Sequence, residues 1–288
     1  MLLKEIKTIY HKELDAIYPK EEVDSFFYLT IGHYLGLERF VLALQPDLRV
    51  TKAEEQPLFE VLAQLRLEKP IQYILGSVHF MDLDFRVNEA VLIPRPETEE
   101  LVRWIIEGHK NRQTAFNILD IGTGSGCIAI FLAKALEIAN VFALDVSEKA
   151  LEVAQWNARK NEVDVKFVQG DIFQTESLQE PFDIIVSNPP YVRMLEKDGM
   201  KPNVLDNEPG LALFVPDDDP LVFYRRIIEF AKGNLKKGGF LYLEINQYLG
   251  SETKALLDGD FEEVELRKDI FGNDRMLKGI LKVESPVW

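Results

Sequence analysis

The stretch Asn117-Ile-Leu-Asp-Ile-Gly-Thr-Gly-Ser-Gly126 decides the fold of this chain. Its first half is an apolar run of strand length, and its second half places three glycines at alternate positions directly before a helical pattern. Glycine lets the backbone turn tightly and approach a ligand without interference from a Cβ atom. A strand that leads through such a turn into a helix is typical of α/β sheets that bind nucleosides or dinucleotides. The dinucleotide pattern requires a further glycine where this chain has Cys127, which disfavours a dinucleotide-dependent oxidoreductase.

From residue 117 onward, apolar strand runs alternate with helical patterns. This alternation predicts an α/β domain with a parallel sheet that is covered by helices on both faces. The predicted strands are Asn117–Ile121, Val141–Asp145, Val165–Gln169, Phe182–Ser187 and Phe240–Ile245, and a final hairpin is expected from Phe261–Leu266 and Met276–Val283.

The residues before this sheet show a helical pattern followed by an alternating one, so we expect a helical bundle, a hairpin linker and a sheet domain. Residues 1–70 predict a bundle of four or five short helices, as the spacing of Leu58, Val61, Leu62 and Leu65 illustrates. Residues 71–95 contain an imperfect alternation of apolar and polar side chains that predicts a β-hairpin linker. Residues 96–288 then form the sheet domain.

Acidic side chains follow the first three predicted strands of the sheet domain or lie within them. Asp120 precedes the glycine turn, Asp145 ends the second strand 19 residues after Gly126, and Asp171 follows the third strand. A carboxylate at the position of Asp145 can accept hydrogen bonds from both ribose hydroxyls of a nucleoside. Asp171 is expected to accept from the exocyclic amine of adenine, with Ile172 packed on the ring. The alternative interpretation of these acids is ordinary capping at strand ends.

A second motif, Ser187-Asn-Pro-Pro-Tyr191, ends the fourth predicted strand. The two prolines fix φ and remove two N–H donors, so a stiff loop presents the Asn188 side-chain oxygen and the Pro189 carbonyl. Two acceptors without a competing donor suit a planar –NH2 group, either of a carboxamide or of a base. Accepting from both N–H groups orients the nitrogen lone pair and stabilises the positive charge that develops on it during alkylation. The alternative is a rigid proline turn without a ligand.

Composition limits the function classes further. The 288 residues carry 33 Lys and Arg against 48 Asp and Glu, a net charge of −15, which opposes unaided binding to a phosphate backbone. One Cys and four His disfavour a disulfide framework and a metal centre, so we expect no metal. No apolar stretch has the length of a signal peptide or of a membrane span, and these observations favour the cytoplasm and no membrane partner.

Five blocks of sequence point to one family: Lys69-Pro-Ile-Gln-Tyr-Ile-Leu-Gly76, Ile93-Pro-Arg-Pro-Glu-Thr-Glu99, Asp120–Gly126, Asn188–Tyr191 and Asp269-Ile-Phe-Gly-Asn-Asp-Arg275. With them the chain resembles the peptide chain release factor N5-glutamine methyltransferases over nearly its whole length. The resemblance implies a seven-stranded Rossmann-like methyltransferase sheet, with a small N-terminal helical bundle domain for substrate docking joined to it by a β-hairpin. Two segments depart from the family pattern, at residues 214–220 and at Asn246.

The resemblance also implies the reaction. A methyl group passes from S-adenosyl-L-methionine, leaving S-adenosyl-L-homocysteine, to the side-chain nitrogen N5 of the glutamine in the Gly-Gly-Gln loop of release factors, which modulates translation termination. The partner is thus a protein, with no direct nucleic acid contact, and the enzyme is expected to be a monomer. By carry-over, the glutamine is held by Asn188, Pro189, Pro190 and Tyr191, and the cofactor by Asp120, Gly122, Thr123, Gly124, Ser125, Gly126, Asp145, Asp171, Ile172 and Asn188.

Two alternatives stay open besides the oxidoreductase. An N6-adenine DNA methyltransferase uses a similar loop on a flipped base, but it needs a basic recognition surface. Residues 1–75 hold 9 Lys and Arg against 12 Asp and Glu, so the natural candidate domain is not basic. A catalytically silent binding protein could keep the glycine turn, but it would leave the Asn-Pro-Pro-Tyr loop without a purpose.

Overall fold

The structure is a computed structural model that describes residues 1–283. Its helices are α1 (Leu3–Leu14), α2 (Lys20–Leu35), α3 (Val41–Leu44), α4 (Lys52–Leu65), α5 (Ile71–Leu75), α6 (Pro96–His109), α7 (Cys127–Ala135), α8 (Glu148–Lys160), α9 (Pro202–Leu205), α10 (Val222–Asn234) and α11 (Gly250–Ala255). Its strands are β1 (Ser77–Phe80), β2 (Leu83–Arg86), β3 (Phe116–Ile121), β4 (Ala139–Asp145), β5 (Lys166–Gln169), β6 (Phe182–Ser187), β7 (Val192–Arg193), β8 (Phe214–Val215), β9 (Leu235–Glu244), β10 (Phe261–Lys268) and β11 (Asp274–Leu281).

Contacts along the chain divide it into two compact units. The first consists of Met1–Ser77 together with Lys201–Asn207, and the second of Val78–Met200 together with the described residues from Glu208 onward. Residues 71–75, inside the predicted hairpin linker, form helix α5, and the hairpin itself is confined to β1 and β2. The boundaries at residues 70 and 95 stay predictions of domain organisation, and the last five residues of the predicted 96–288 domain lie outside the described part.

The first unit is held together by the amphipathic helices that the sequence predicts. Helix α4 begins after Thr51, whose hydroxyl accepts from the Glu54 N–H while the Glu54 carboxylate accepts from the Thr51 N–H. Such a reciprocal pair satisfies two backbone donors that the first helical turn leaves unpaired. Leu58 and Leu65 on the apolar face of α4 are fully buried, as are Ile6 of α1 and Phe27 of α2. The predicted helical bundle is therefore present.

The second unit contains a seven-stranded sheet with the order β10-β11-β9-β6-β3-β4-β5. The neighbours β9, β6, β3, β4 and β5 run parallel, and β11 pairs antiparallel with both β9 and β10. Side chains on both faces of the central strands are buried, which explains why these strands are continuously apolar. The predicted α/β fold, with its final hairpin, is confirmed.

The sheet order places the ligand crevice. The chain passes from β3 outward to β4 and β5 and then returns to β6 on the other side of β3. In an open α/β sheet the helices on the two sides of such a switch point diverge, and ligands bind at the carboxyl ends of the strands there. The glycine turn follows β3 and the Asn-Pro-Pro-Tyr loop follows β6, so both motifs open into this crevice.

Asn157 of α8 fixes the β1–β2 hairpin next to the glycine turn. Its side-chain oxygen accepts from the Arg86 N–H at 2.7 Å, and its side-chain nitrogen donates to the carbonyls of Arg86 (3.0 Å) and Ser125 (2.8 Å). Asn157 is fully buried, so these bonds are shielded from water.

Among the described residues, every helix is too short or too polar for a membrane crossing.

Candidate active site

A cavity of about 330 Å³ lies at the carboxyl ends of β3, β4, β5 and β6 in the second unit. This volume falls in the range of small-molecule and cofactor sites. Ten of the residues predicted for the site line it: Gly122, Thr123, Gly124, Ser125, Asp145, Asp171, Ile172, Asn188, Pro189 and Pro190. Asp120, Gly126 and Tyr191 do not line it, and their positions are described below.

The glycine turn takes the left-handed backbone conformation at all three glycines, with φ of +74° at Gly122, +54° at Gly124 and +82° at Gly126. Added Cβ atoms at Gly122 and Gly124 would meet open space, because these residues border the cavity. A Cβ at Gly126 would lie 2.8 Å from Ile130 Cδ1 and 3.1 Å from Ala154 Cβ. Gly126 therefore allows α7 to pack closely on α8, whereas the other two glycines border the ligand space.

Gly126→Ala should destabilise the protein by about 2–5 kcal/mol, because it adds a steric clash to the cost of the left-handed conformation. Gly124→Ala is the matched control, since it adds only the cost of the left-handed conformation, about 1–2 kcal/mol. Urea unfolding at equilibrium measures both values. Equal losses for the two variants would contradict the packing role of Gly126.

Asp145 connects the end of β4 to the glycine turn. One carboxylate oxygen accepts from the Gly124 N–H at 2.8 Å and the other from the Ser147 N–H at 2.9 Å. Burial raises the pKa of Asp145, while these backbone hydrogen bonds act in the opposite direction. Each carboxylate oxygen can accept a second hydrogen bond, so the residue keeps free acceptor capacity where it lines the cavity.

Asp120 lies beneath the turn and is fully buried. One oxygen accepts from the Thr123 hydroxyl at 2.6 Å, and the other oxygen has no hydrogen-bond partner. Burial raises the pKa of Asp120 to about 7, against the opposing effect of the Thr123 hydrogen bond. The position of Asp120 allows it to fix Thr123, which itself lines the cavity.

The raised pKa of Asp120 predicts a pH-dependent stability. A carboxyl whose pKa is higher in the folded state binds a proton on folding, so its stabilising contribution is present at low pH and is lost as the pH rises to about 7. Between pH 5 and 6 the unfolding free energy of the wild type should fall by ~1.4 kcal/mol per pH unit relative to Asp120→Asn, which does not titrate, and the slope should flatten as the pH approaches 7. Urea titrations of both proteins measure the difference, and parallel pH profiles would contradict the assignment.

Asp171 and Ile172 lie on the wall beyond β5. The Asp171 carboxylate accepts from the Phe173 N–H at 2.9 Å and from the Gln174 side chain at 3.3 Å, so it also shapes its own turn. Ile172 is 8% exposed and faces the cavity. Phe173 and Phe223, which also line the cavity, form an edge-to-face pair with ring centroids 5.0 Å apart. This wall offers apolar and aromatic surface with one acceptor, which is suited to a heteroaromatic ring.

The Asn188 amide is oriented by Thr98, a residue that the sequence reasoning missed. Asn188 Nδ2 donates to Thr98 Oγ1 at 3.2 Å, and Thr98 Oγ1 donates to Glu244 Oε2 at 2.7 Å. Asn188 Oδ1 has no donor among the described residues, so it remains available as an acceptor where Asn188 lines the cavity. The only signals in the sequence were the place of Thr98 in the Ile93–Glu99 block and the acid that ends β9.

Tyr191 departs from the predicted arrangement, because its ring packs against the core on one side of the sheet. Its hydroxyl donates to Glu244 Oε1 at 3.0 Å. Burial raises the pKa of Tyr191 well above its usual value, and the neighbouring Glu244 carboxylate adds to this effect. Tyr191 thus supports the loop from behind and does not line the cavity.

Glu244 is 1% exposed at the end of β9. Burial raises the pKa of its carboxyl, while the hydrogen bonds from Thr98 and Tyr191 and the positive charge of Arg275 act in the opposite direction. Arg275 is itself held by Asp269, since its Nε donates to Asp269 Oδ2 at 3.2 Å. The Asp269–Arg275 block therefore contributes charge compensation below the Asn-Pro-Pro-Tyr loop.

Both departures from the family pattern contact the chain after Tyr191. The 214–220 segment begins with β8, which pairs in parallel with β7, and Asp217 accepts from the Leu195 N–H at 2.9 Å. Asn246 Nδ2 donates to the Tyr191 carbonyl at 2.8 Å and to Glu196 Oε1 at 3.0 Å. These contacts hold the loop from its carboxyl-terminal side.

Arg95, within the Ile93–Glu99 block, forms an ion pair and also borders the cavity. Its Nη2 lies 2.5 Å from Oε1 of the buried Glu208. Because Arg95 lines the cavity as well, a structural role and a role beside the cofactor are compatible.

The cavity fits S-adenosylmethionine. The open space beside Gly122 and Gly124 leaves room for its aminocarboxylate part. The free acceptor capacity of Asp145 suits its ribose hydroxyls, and the apolar wall at Ile172 suits its adenine ring. Ser125, which also lines the cavity, has a buried hydroxyl without a partner. Buried polar atoms are rarely left unpaired, so this hydroxyl indicates a missing polar ligand group.

Comparison with known proteins first defines the class. Residues 11–76 match the family model of the PrmC N-terminal domain, and residues 103–205 match that of the methyltransferase small domain. A methyltransferase from Pyrococcus furiosus has the same fold, with a TM-score of 0.52 at 19% identity over 81% of this chain and 100% of that one. The chain therefore has the Rossmann-like fold of this class of methyltransferases.

Curated relatives define the family. The chain is 54% identical to the release factor glutamine methyltransferase of Flavobacterium psychrophilum and 44% identical to that of Bacteroides thetaiotaomicron, each over 96% of this chain and 99% of the relative. The chain belongs to the release factor glutamine methyltransferase family, which confirms the resemblance predicted from its motifs. It is accordingly an S-adenosylmethionine-dependent enzyme.

Proposed function

We propose that this protein transfers a methyl group from S-adenosylmethionine to the side-chain amide nitrogen N5 of the glutamine in the Gly-Gly-Gln loop of peptide chain release factors. Family membership supports a glutamine of a release factor as the substrate, because the relatives from Flavobacterium psychrophilum and Bacteroides thetaiotaomicron are named release factor glutamine methyltransferases. The observation that carries the proposal in the structure is the Asn188 amide, whose nitrogen is engaged by Thr98 and whose oxygen is free at the cavity.

The donor side of the cavity is formed by the glycine turn and the two acids beyond it. When bound, S-adenosylmethionine supplies an electrophilic methyl group on a sulfonium. Asp145 is proposed to accept from the ribose hydroxyls, Asp171 from the adenine amine, and Ile172 to pack on the adenine ring. Gly122, Thr123, Gly124 and Ser125 are proposed to surround the methionine part, with Asp120 and Gly126 shaping the turn from beneath.

The acceptor side orients the glutamine. Asn188 Oδ1 and the Pro189 carbonyl are two acceptors, and together they can hold both N–H groups of one carboxamide. An amide nitrogen is a poor nucleophile because its lone pair is delocalised into the carbonyl group. Binding both hydrogens turns the lone pair toward the methyl group and stabilises the positive charge that develops on nitrogen, and the extra proton then leaves to solvent. Pro190 and Tyr191 keep this loop rigid.

The DNA methyltransferase alternative is less well supported. The same loop can hold an exocyclic adenine amine, but the relatives are named for glutamine methylation and the chain has a net charge of −15. We therefore keep the prediction of a protein partner without direct nucleic acid binding. The same proposal includes two further expectations: the protein is a monomer, and it is located in the cytoplasm.

Incubation with S-adenosylmethionine and a purified release factor, followed by peptide mass mapping, tests the function. We expect one added methyl group on the glutamine of the Gly-Gly-Gln loop and none on a release factor in which that glutamine is replaced by asparagine. A parallel reaction with adenine-containing duplex DNA tests the alternative. Methyl transfer to the DNA and not to the release factor would reject the proposal.

A further inference from the structure

Four side chains form a continuous line of hydrogen bonds that begins at the cavity, which Asn188 and Thr98 line. Asn188 Nδ2 lies 3.2 Å from Thr98 Oγ1, Thr98 Oγ1 lies 2.7 Å from Glu244 Oε2, and the Tyr191 hydroxyl lies 3.0 Å from Glu244 Oε1. Thr98 is 2% exposed and Glu244 is 1% exposed, so the bond between them is shielded from water, whereas the bonds of Asn188 and Tyr191 are partly buried. The line joins the first turn of α6, the loop after β6 and the end of β9, which are far apart in sequence.

The direction of each bond follows from Glu244, which accepts from both of its neighbours in the line. The Thr98 and Tyr191 hydroxyls both donate to Glu244, whose two carboxyl oxygens act as acceptors. Once the single Thr98 proton is given to Glu244, the Thr98 oxygen can only accept, and it accepts from the Asn188 nitrogen. If the Asn188 amide were turned over, its oxygen would face the Thr98 oxygen with no proton between them.

We propose that Thr98 and Glu244 are positioning residues that fix which end of the Asn188 amide faces the substrate. They make the Asn188 nitrogen point inward and its oxygen outward, and the loop thereby presents acceptors only. An amide facing the other way would offer N–H donors to the substrate –NH2 group and repel it. This role rests on the proposed function, since it assigns the orientation of the group that holds the glutamine.

Arg275 contributes positive charge to the surroundings of Glu244. Its electrostatic effect favours the ionised form of Glu244, in opposition to burial, and its side chain is 12% exposed. Arg275 is held in turn by the fully buried Asp269 carboxylate and by the Ile245 carbonyl at 3.3 Å from its Nη1. A fixed cation thus offsets part of the cost of burying the Glu244 carboxyl group.

Thr98→Val tests the role because valine keeps the shape of threonine and removes the hydroxyl. We expect kcat for release factor methylation to fall by about 10–100-fold, with KM for the release factor and the S-adenosylhomocysteine affinity within about threefold of the wild type. Thr98→Ser, which keeps the hydroxyl, should stay within about fivefold of the wild type. Thr253→Val is the matched control, because Thr253 is also fully buried in the second unit but does not line the cavity.

A double-mutant cycle separates positioning from a general structural effect. If Thr98 acts through Asn188, Thr98→Val should cause less than about a twofold further loss of kcat in an Asn188→Ala background. A further loss as large as in the wild-type background would overturn the proposal, and so would a wild-type kcat for Thr98→Val. Should Thr98→Val not fold, Glu244→Gln replaces it in the same cycle, because glutamine must turn a donor toward one of its two hydroxyl partners.

The double-mutant cycle of Thr98→Val and Asn188→Ala can also be measured by the unfolding midpoints of the ligand-free proteins. This measurement distinguishes failure of this inference from failure of the proposed function. A wild-type protein that methylates no release factor rejects the function. In that case coupled midpoint shifts of Thr98→Val and Asn188→Ala would still support the oriented amide, whereas additive shifts would overturn it.

Discussion

Replacing Asn188 with alanine should lower kcat for glutamine methylation by about 10²–10³-fold, which is the usual loss when one preorganised hydrogen-bonding group is removed from a reacting centre. The effect is large because Asn188 Oδ1 is one of the two acceptors that we propose hold the substrate amide, and because the charge on the substrate nitrogen develops in the transition state. The S-adenosylhomocysteine affinity should stay within about threefold of the wild type. Although Asn188 is also predicted to contact the cofactor, we propose that the turn and Asp145 supply most of the cofactor's polar contacts.

Steady-state kinetics with a release factor and calorimetry with S-adenosylhomocysteine measure the two quantities separately. Asn140→Ala is the matched control, since Asn140 is exposed at the start of β4 and away from the cavity. Full turnover by Asn188→Ala would remove this residue from the mechanism. An equal loss of cofactor affinity and turnover would place it on the cofactor side.

The second large effect is expected at Asp145, and it should appear in binding. Asp145→Ala removes the acceptor for the ribose hydroxyls and also releases the Gly124 N–H, which lies 2.8 Å from its carboxylate. Hydrogen bonds to a charged group contribute about 1.5–3 kcal/mol each. The loss of two such bonds should weaken S-adenosylhomocysteine binding by at least about 100-fold.

Asp145→Asn gives a graded comparison, because asparagine keeps the size and one acceptor oxygen but not the charge. We expect its affinity to lie between those of the wild type and Asp145→Ala. Asp164→Ala is the control at an exposed acid on the same unit. If calorimetry shows Asp145→Ala within threefold of the wild type, the carboxylate does not bind the ribose.

The elements that the sequence predicted well are those with strong local signals. The strand β3, the glycine turn and helix α7 follow from an apolar run, three glycines and a helical pattern that are contiguous in the chain. The strand end at Asp145 and the rigid loop at Pro189 and Pro190 follow in the same way. Residues 71–75 were assigned to a hairpin because their apolar run does not distinguish a short helix from a strand by periodicity.

The site residues that were missed are joined only by tertiary contacts. Thr98 is 90 residues from Asn188 and 146 residues from Glu244 in sequence, yet the three form one line of hydrogen bonds. A threonine in a first helical turn and a glutamate at a strand end have many possible roles, so local pattern gave no reason to connect them. The same holds for Asn157, which bonds to Arg86 across 71 residues.

The sequence by itself determined the class of sheet, the place of the ligand crevice and the chemical types at its mouth, because these depend on local backbone preferences and on strand order. It also determined the family, through motifs that are continuous in the chain. Only the tertiary structure decided which way the Asn188 amide faces, that Asp120 and Tyr191 support the cavity from behind, and that Glu244 is buried where the charge of Arg275 acts on it. The physical reason is that hydrogen-bond direction and the pKa of a buried acid are set by neighbours in space, and these neighbours come from distant parts of the chain.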